Sequence, residues 1–333
     1  IACAYMLKHM ENGDDLEYLF TSDEEIGLIG ANNVEFQLQS NFMLNIDSED
    51  EGDITIGCAG GVDIFAKHTN KNIFKNDENL DLYEITISKL QGGHSGVEIH
   101  KEIPNGIKLM ANTIKKCEGF ILDINGGERI NSIPANVKAI IASKIEPKSS
   151  HENMKIEKIN SKSEHLNLYS NDILNFLYTF SNGVRSYDGK LGVVLNSINL
   201  AIIKTNLDDI EIQLSARSMD NKELKRIVHE TTTLLECFGF TVNTSGKYPA
   251  WKPEHNDFAE HLLDIYKKHI PTSSLEAIHA GLECAIFKDK FPHLQIASIG
   301  PNIFSPHSYN ERVEIASVLK VEKVVEEIIH KYN

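Results

Sequence analysis

The chain has 333 residues, 41% of them apolar, which is enough to build two domains with real cores. Lys and Arg total 33 against 48 Asp and Glu, a formal charge of −15, and no basic run of the kind that tracks phosphates occurs, so nucleic acid is excluded as a partner. The longest apolar runs, "LGVVL" and "AIIA", fall far short of the roughly 20 residues that cross a bilayer, no signal peptide opens the chain, and a cytoplasmic protein with no membrane partner is expected.

The chain opens on "IACAYMLKHM", which reads as a helix already under way with no N-cap residue in front of it. An upstream extension of the natural protein is therefore expected. A turn at 11–15, a strand "LEYLFTS" (16–22), a helix "GLIGANNVEFQL" (27–38) and a strand "FMLNID" (42–47) follow. Strands separated by helices of this length imply a doubly wound, mainly parallel sheet. After "GCAGG" at 57–61 the pattern changes. Strand "LYEITISKL", helix "NGIKLMANTIKKC" and strands "GFILDIN" and "NVKAIIASKI" make a β-α-β-β unit of mainly antiparallel strands. The polar stretch 146–167 reads as a solvated connection. "VLNSINLAIIKT", "DIEIQLSARS", helix "NKELKRIVHETTTLLECFG" and "FTVNTSG" then repeat the pattern, so the middle of the chain reads as two related α+β halves, with no sequence period. From Pro253 the α/β pattern returns: helix "HNDFAEHLLDIYKKHI", the "SLEAIHAGLEC" region, strand "LQIASIG", loop "PNIFSPHSYNERVEI" and a closing helix over 316–330. The expected fold is α/β, with residues 1–60 and 248–333 forming a doubly wound catalytic domain interrupted by an α+β lid domain over 61–247.

Cys3, Cys58, Cys117, Cys237 and Cys284 are odd in number, scattered and never paired as CxxC, which points to reduced thiols. The chemistry lies elsewhere. Ligands of an open α/β sheet bind beyond the carboxyl ends of its strands, and Glu24, Glu25, Asp47 and His307 fall at such positions. Two carboxylates and an imidazole are a donor set that Zn²⁺ accepts with positions left for water and substrate. Neighbouring acids in a strand-to-helix loop diverge, so one can ligate metal while the other takes a proton from metal-bound water. Each residue also has an ordinary reading: Glu24 and Glu25 as compensation of a helix dipole, "DSEDEGD" as a solvated acidic turn, and His307 as a surface histidine.

The motifs "TSDEEIGLIGA", "NIDSEDEGDITIGCAGGVD", "QGGHSGVEIH", "NGGERINSIPANV", "IHAGLEC" and "SIGPNIFSPHS", in that order over nearly the whole chain, resemble the aminoacyl-histidine dipeptidases. These belong to the dinuclear metallopeptidases, which also include glutamate carboxypeptidases, tripeptidases and aminoacylases. The resemblance implies two divalent ions, zinc first with manganese or cobalt as alternatives. Glu24 would be the general base, Glu25 and His307 ligands of one metal and Asp47 a ligand of the other. His94 would stabilise the oxyanion and Arg217 would clamp the substrate carboxylate. Asn131 and Asn199 would add polar contacts, and His279 or Glu283 would lie near the substrate amine, with a core-facing His279 equally consistent. The implied substrate is an Xaa-His or related dipeptide, and a homodimer is implied too. A tripeptidase, an N-acyl amino-acid deacylase and a non-catalytic remnant that only binds peptides are the alternatives. The family carries a His-x-Asp pair and a metal-bridging Asp upstream of the first helix, and this sequence has neither. The 333 residues taken alone are therefore expected to be inactive. The 146–167 connection is also shorter than in many relatives, which carry an extra helix there.

Overall fold

The opening run ACAYMLKHMEN forms helix α1 (Ala2–Asn12), which stops where Gly13 turns left-handed at φ 79° and its N–H returns to the carbonyls of His9 and Met10. Tyr5 and His9 mark its buried side, and the Tyr5 hydroxyl donates to Val318 O at 2.9 Å. The computed structural model describes residues 1–24, 27–69, 71–76, 79–160, 165–306 and 308–332. They fold as two compact units, one of residues 1–60, 189–193 and 248–333, the other of residues 61–188 and 194–247.

After α1 come α2 (Ile29–Asn32), β1 (Phe42–Asn45) and β2 (Asp53–Cys58). Then follow β3 (Gly60–His68), β4 (Lys71–Lys75), β5 (Asp81–Ile87), β6 (Gly93–His94), α3 (Gly106–Lys116), β7 (Phe120–Gly126), β8 (Ser132–Ile133) and β9 (Val137–Ser143). Next are β10 (Met154–Ile159), β11 (His165–Tyr169), α4 (Asn171–Thr179), β12 (Gly183–Asp188), β13 (Val193–Thr205), β14 (Ile210–Ser218), α5 (Asn221–Cys237) and β15 (Thr241–Tyr248). The chain ends with α6 (Asp257–His269), β16 (Ser274–Ile278), α7 (Glu283–Lys290), β17 (Gln295–Ser298), β18 (Ile303–Phe304), β19 (Arg312–Val313) and α8 (Ile315–Tyr332).

The first unit is built on a four-stranded sheet in the order β1-β17-β2-β16. β1 runs parallel to β17 and β16 parallel to β2, while β17 and β2 meet antiparallel at Ser298 and Thr55. Ile54 and Ile56 are wholly buried in one apolar cluster with Phe258, Leu262 and Tyr266 of α6 and Val321 and Val325 of α8. Each such side chain contributes about 1.5–3 kcal/mol by leaving water. α6 begins where the Asn256 side chain accepts from Ala259 N, and it carries Asp257 and Glu260 in its first turn and Lys267, Lys268 and His269 in its last, matching its dipole. A second cluster joins Cys58, Trp251 and Ile296 to Cys284 and Phe287 of α7.

The second unit holds a sheet in the order β10-β5-β9-β7-β13-β14-β3-β15, with β12 also on β13. Its core gathers Ile85, Ile141, Ile198, Leu200 and Leu214 with Met110 of α3, Phe176 of α4 and Ile227 of α5. The Asn105 and Asp220 side chains cap α3 and α5. Lys108 of α3 donates to Leu177 O, Tyr178 O and Phe180 O at the end of α4, at 2.5, 2.9 and 2.7 Å. Burial pushes its ammonium down to about 8.

Three sequence expectations are corrected. Residues 16–22 form no ladder with any described strand. They are held instead by a side chain, the Glu17 carboxylate accepting from Gln39 N and Ser40 N at 3.0 and 2.8 Å. The helix expected over 27–38 is only the four residues of α2, because Asn32 and Asn33 turn their side-chain amides back onto Leu28 O and Ile29 O and offer the backbone a way out. The supposed connection 146–167 contains β10, which pairs antiparallel with β5 and heads the strand order. In its sequence MKIEKI, Met154 is buried and Lys155, Glu157 and Lys158 are exposed, as suits an edge strand guarded by charge.

Glu276, on β16 at the end of the first unit's strand order, is pushed up to about 7 by burial and then by the charges of Asp53 and Asp50. A carboxyl whose folded pKa lies above its ordinary 4.5 supports the fold while protonated, so the contribution is present below pH 4.5 and lost as pH rises through 7. Glu276→Gln is therefore expected to raise the thermal midpoint at pH 8 by the equivalent of about 1 kcal/mol, allowing for the water that still reaches the group, and to change nothing near pH 4.5. A pH-independent difference would contradict this. Lys108→Met, which leaves three carbonyls without their donor, is expected to cost about 1–3 kcal/mol in urea unfolding.

Candidate active site

In the first unit, β1 and β17 are parallel neighbours whose last residues, Asn45 and Ser298, lie opposite one another. The loops that leave them are joined at once. Asn45 Nδ2 donates to Ser298 Oγ at 2.8 Å, Ser48 Oγ lies 2.8 Å from the same oxygen, and Ser48 N donates to Ile299 O at 3.0 Å. The approach is so close that a Cβ at Gly300 would overlap the Ser48 carbonyl. Asp47 sits in the first of these loops.

Asp47 and Glu24 line one cavity of about 760 Å³, together with Thr21 and Glu283. Thr21 Oγ1 donates to Glu283 Oε2 at 2.8 Å, while Glu283 Oε1 is buried without a hydrogen-bond partner among the described residues. Burial raises the Glu283 pKa, the Thr21 bond opposes this, and the charge of Asp47 adds to it. Carboxylates crowded in this way favour a cation or a shared proton. The rest of the wall is mixed, with Leu19, Phe20, Phe36, Phe42 and Phe287 beside His9, Glu17 and Asn45. Glu25 and His307 lie outside the described residues, and among those described no three Asp, Glu, His or Cys side chains are grouped to hold a metal ion. His279, just after β16, is 4% exposed.

His94, Asn131, Asn199 and Arg217 belong to the second unit. His94 is held in a tight turn. Its Nδ1 accepts from Gly96 N and Val97 N, both at 3.3 Å, and its own N–H donates to Glu98 Oε2 at 2.9 Å. Hydrogen bonds that occupy Nδ1 as acceptor place the ring proton on Nε2, leaving that nitrogen as the donor. A side chain at Gly93 would strike Ile103 and the Glu98 carboxylate. The His94 amide and then Lys101 hold Glu98 below the usual carboxylate range. Asn131 is exposed, and its carbonyl accepts from Ser95 N. Asn199, 1% exposed on β13, donates from Nδ2 to Ser132 O at 2.7 Å, with Oδ1 buried and unpaired among the described residues. Arg217 on β14 is 7% exposed, and its charge lowers the pKa of Asp63, which burial raises and a Ser215 hydrogen bond also lowers.

Thr21, Asp63 and Glu98 escape a sequence reading. Thr21 and Glu283 are 262 positions apart, and nothing local links Asp63 to Arg217. Glu98, four residues after His94, is the one a local pattern could have found.

A model of the family described as peptidase family M20/M25/M40 matches residues 1–331. The cytosol non-specific dipeptidase of Escherichia coli (strain K12) is 32% identical over 333 aligned residues, covering 91% of this chain and 68% of the relative. The crystal structure of aminoacylhistidine dipeptidase from Vibrio alginolyticus matches with a TM-score of 0.82 at 25% identity, over 93% of this chain and 69% of that one. Aminopeptidase PepT from Bacillus cereus, at TM-score 0.51 and 15% identity over 98% of this chain and 69% of its own, shares the fold. The chain belongs to peptidase family M20/M25/M40.

Proposed function

We propose that this peptidase hydrolyses dipeptides, Xaa-His dipeptides among them, with divalent metal ions and Glu24 as general base. The observation that carries the reading is that Glu24, Asp47 and Glu283 line one cavity, with the charge of Asp47 felt at Glu283. Two relatives support the substrate class, one named as a non-specific dipeptidase and one as an aminoacylhistidine dipeptidase.

Glu25 and His307 would hold one ion and Asp47 the other. The donors fit: oxygen and imidazole suit zinc, manganese and cobalt, and Glu283, raised by burial and then by the charge of Asp47, is a carboxyl that a nearby cation would return to its charged form. When bound, the ions supply Lewis acidity at the scissile carbonyl and a more acidic water. The chain's own residues do the rest. Glu24 accepts the water's proton and passes it to the leaving amine. His94, a donor at Nε2, takes the oxyanion. Arg217 receives the substrate carboxylate as a planar fork, Asn131 and Asn199 add polar contacts, and Glu283 or His279 receives the substrate amine. A two-ion centre of the family type also needs the His-x-Asp pair and the bridging Asp.

The test is a panel of β-alanyl-histidine, other Xaa-His dipeptides, a tripeptide and an N-acetyl amino acid. Dipeptides are expected to be hydrolysed, with loss of activity on chelation and recovery with Zn²⁺. Glu24→Gln is expected to lower kcat by about 10²-fold or more with KM nearly unchanged. Turnover of the acetylated substrate alone would make the protein a deacylase, and turnover of none would leave a peptide-binding role. Full activity in Glu24→Gln would remove the base.

A further inference from the structure

The connection between β7 and β9, residues 127–136, carries Asn131 and the short strand β8, and it is pinned to β13 at two points. At Gly127, where φ is 89°, an added Cβ would lie on the Ala201 carbonyl, so the two backbones touch. Farther along, Asn199 Nδ2 donates to Ser132 O at 2.7 Å. Ser132 is the β8 residue that faces His94 of β6 in an antiparallel ladder, with Ile133 opposite Gly93. The next amide, Ser95 N, donates to Asn131 O at 2.9 Å. The turn that holds the His94 ring therefore rests on β8, and β8 rests on the Asn199 side chain. The far end of the His94 loop reaches β13 as well, since Asn105, which caps α3, donates from Nδ2 to Leu200 O at 2.8 Å.

Asn199 is 1% exposed, and its Oδ1 is buried with no partner among the described residues. An unpaired buried oxygen costs as much as a typical hydrogen bond contributes, or more. Stability alone therefore does not explain an amide at this position, whereas its donor is the group on which β8 leans. We propose that Asn199 is a positioning residue for His94, which sets the place of the imidazole by holding β8 through the Ser132 carbonyl. The proposal rests on the reading of His94 as the oxyanion donor. With Nδ2 committed to Ser132, only Oδ1 is left for a contact with substrate. An oxyanion donor works from a fixed point, and β6 and β8, of two residues each, are too short to keep their register alone.

Asn199→Leu removes the donor and the unpaired oxygen together at similar volume, and its thermal midpoint is expected to stay close to the parent's. In the metal-free chain, amide exchange at Ser95, Gly96 and Val97 is expected to speed up about tenfold or more while exchange in β5 and β9 is unchanged. In ¹⁵N spectra the parent His94 is expected to carry its proton on Nε2, and the variant to show a mixture of the two tautomers. Asn199→Asp, which sets an acceptor against the Ser132 carbonyl, is expected to give the same exchange and ring signature. In turnover of a dipeptide, Asn199→Leu is expected to lower kcat about tenfold in the parent and to have no further effect in a His94→Ala background. Parent-like exchange and ring spectra in both Asn199 variants would overturn the positioning role and leave the oxyanion reading standing. Parent-like turnover in His94→Ala would overturn the oxyanion reading and the proposal with it. Equal losses of kcat in the two backgrounds, or a global rise in exchange, would overturn the proposal in favour of a role in folding alone.

Discussion

The first unit depends on one close approach, that of Gly300 beneath the Ser48 carbonyl. Two parallel strands end side by side, and their outgoing loops must either splay apart or run together. Here they run together, because Ser298, Ser48 and Asn45 share hydrogen bonds at the strand ends and position 300 has no side chain to force them apart. Parallel strands send their carboxyl ends to the same side of a sheet, which is where such folds gather ligands. The acid of one loop thereby comes to face the cavity that also receives Glu24 and Glu283. Any residue larger than glycine at 300 would have to move a backbone carbonyl, so the site and the local fold are limited by the same contact.

The second unit poses a different problem, that of holding polar groups away from water along two of its strands. Along β13 and β14, Ile198, Leu200, Leu214 and Ala216 enter the core, while the alternate residues Ser197, Asn199, Ser215 and Arg217 occupy the other face. All four polar residues are less than 10% exposed. Burial at that level is costly unless partners are supplied, and they are supplied in part: Asn199 Nδ2 bonds the Ser132 carbonyl while its Oδ1 is unpaired among the described residues, and the charge of Arg217 acts against the burial that raises the Asp63 pKa.

Much of this architecture can be read from periodicity. The long amphipathic runs that become α3, α5, α6 and α8, and the alternating runs that become β5, β9, β13 and β14, carry enough repeats for hydrophobic spacing to decide them. The errors fall where structure depends on partners rather than on the segment itself. "LEYLFTS" has the composition of a strand, but a strand exists only in a ladder. "MKIEKI" looks polar, yet it completes a ladder with β5. Of the candidate site, the motifs single out Glu24, Asp47 and Glu283, which line one cavity. Their hydrogen-bond partners leave no such trace: Thr21, bonded to Glu283, lies 262 positions away.

The turn around His94 has a consequence for the flow of hydrogen in any reaction it joins. With Gly96 and Val97 both bonded to one ring nitrogen, the imidazole is committed as a lender of hydrogen and has no vacant lone pair to act as a sink. That nitrogen is taken up by the backbone of its own turn, and the ring offers its surroundings a hydrogen rather than a lone pair.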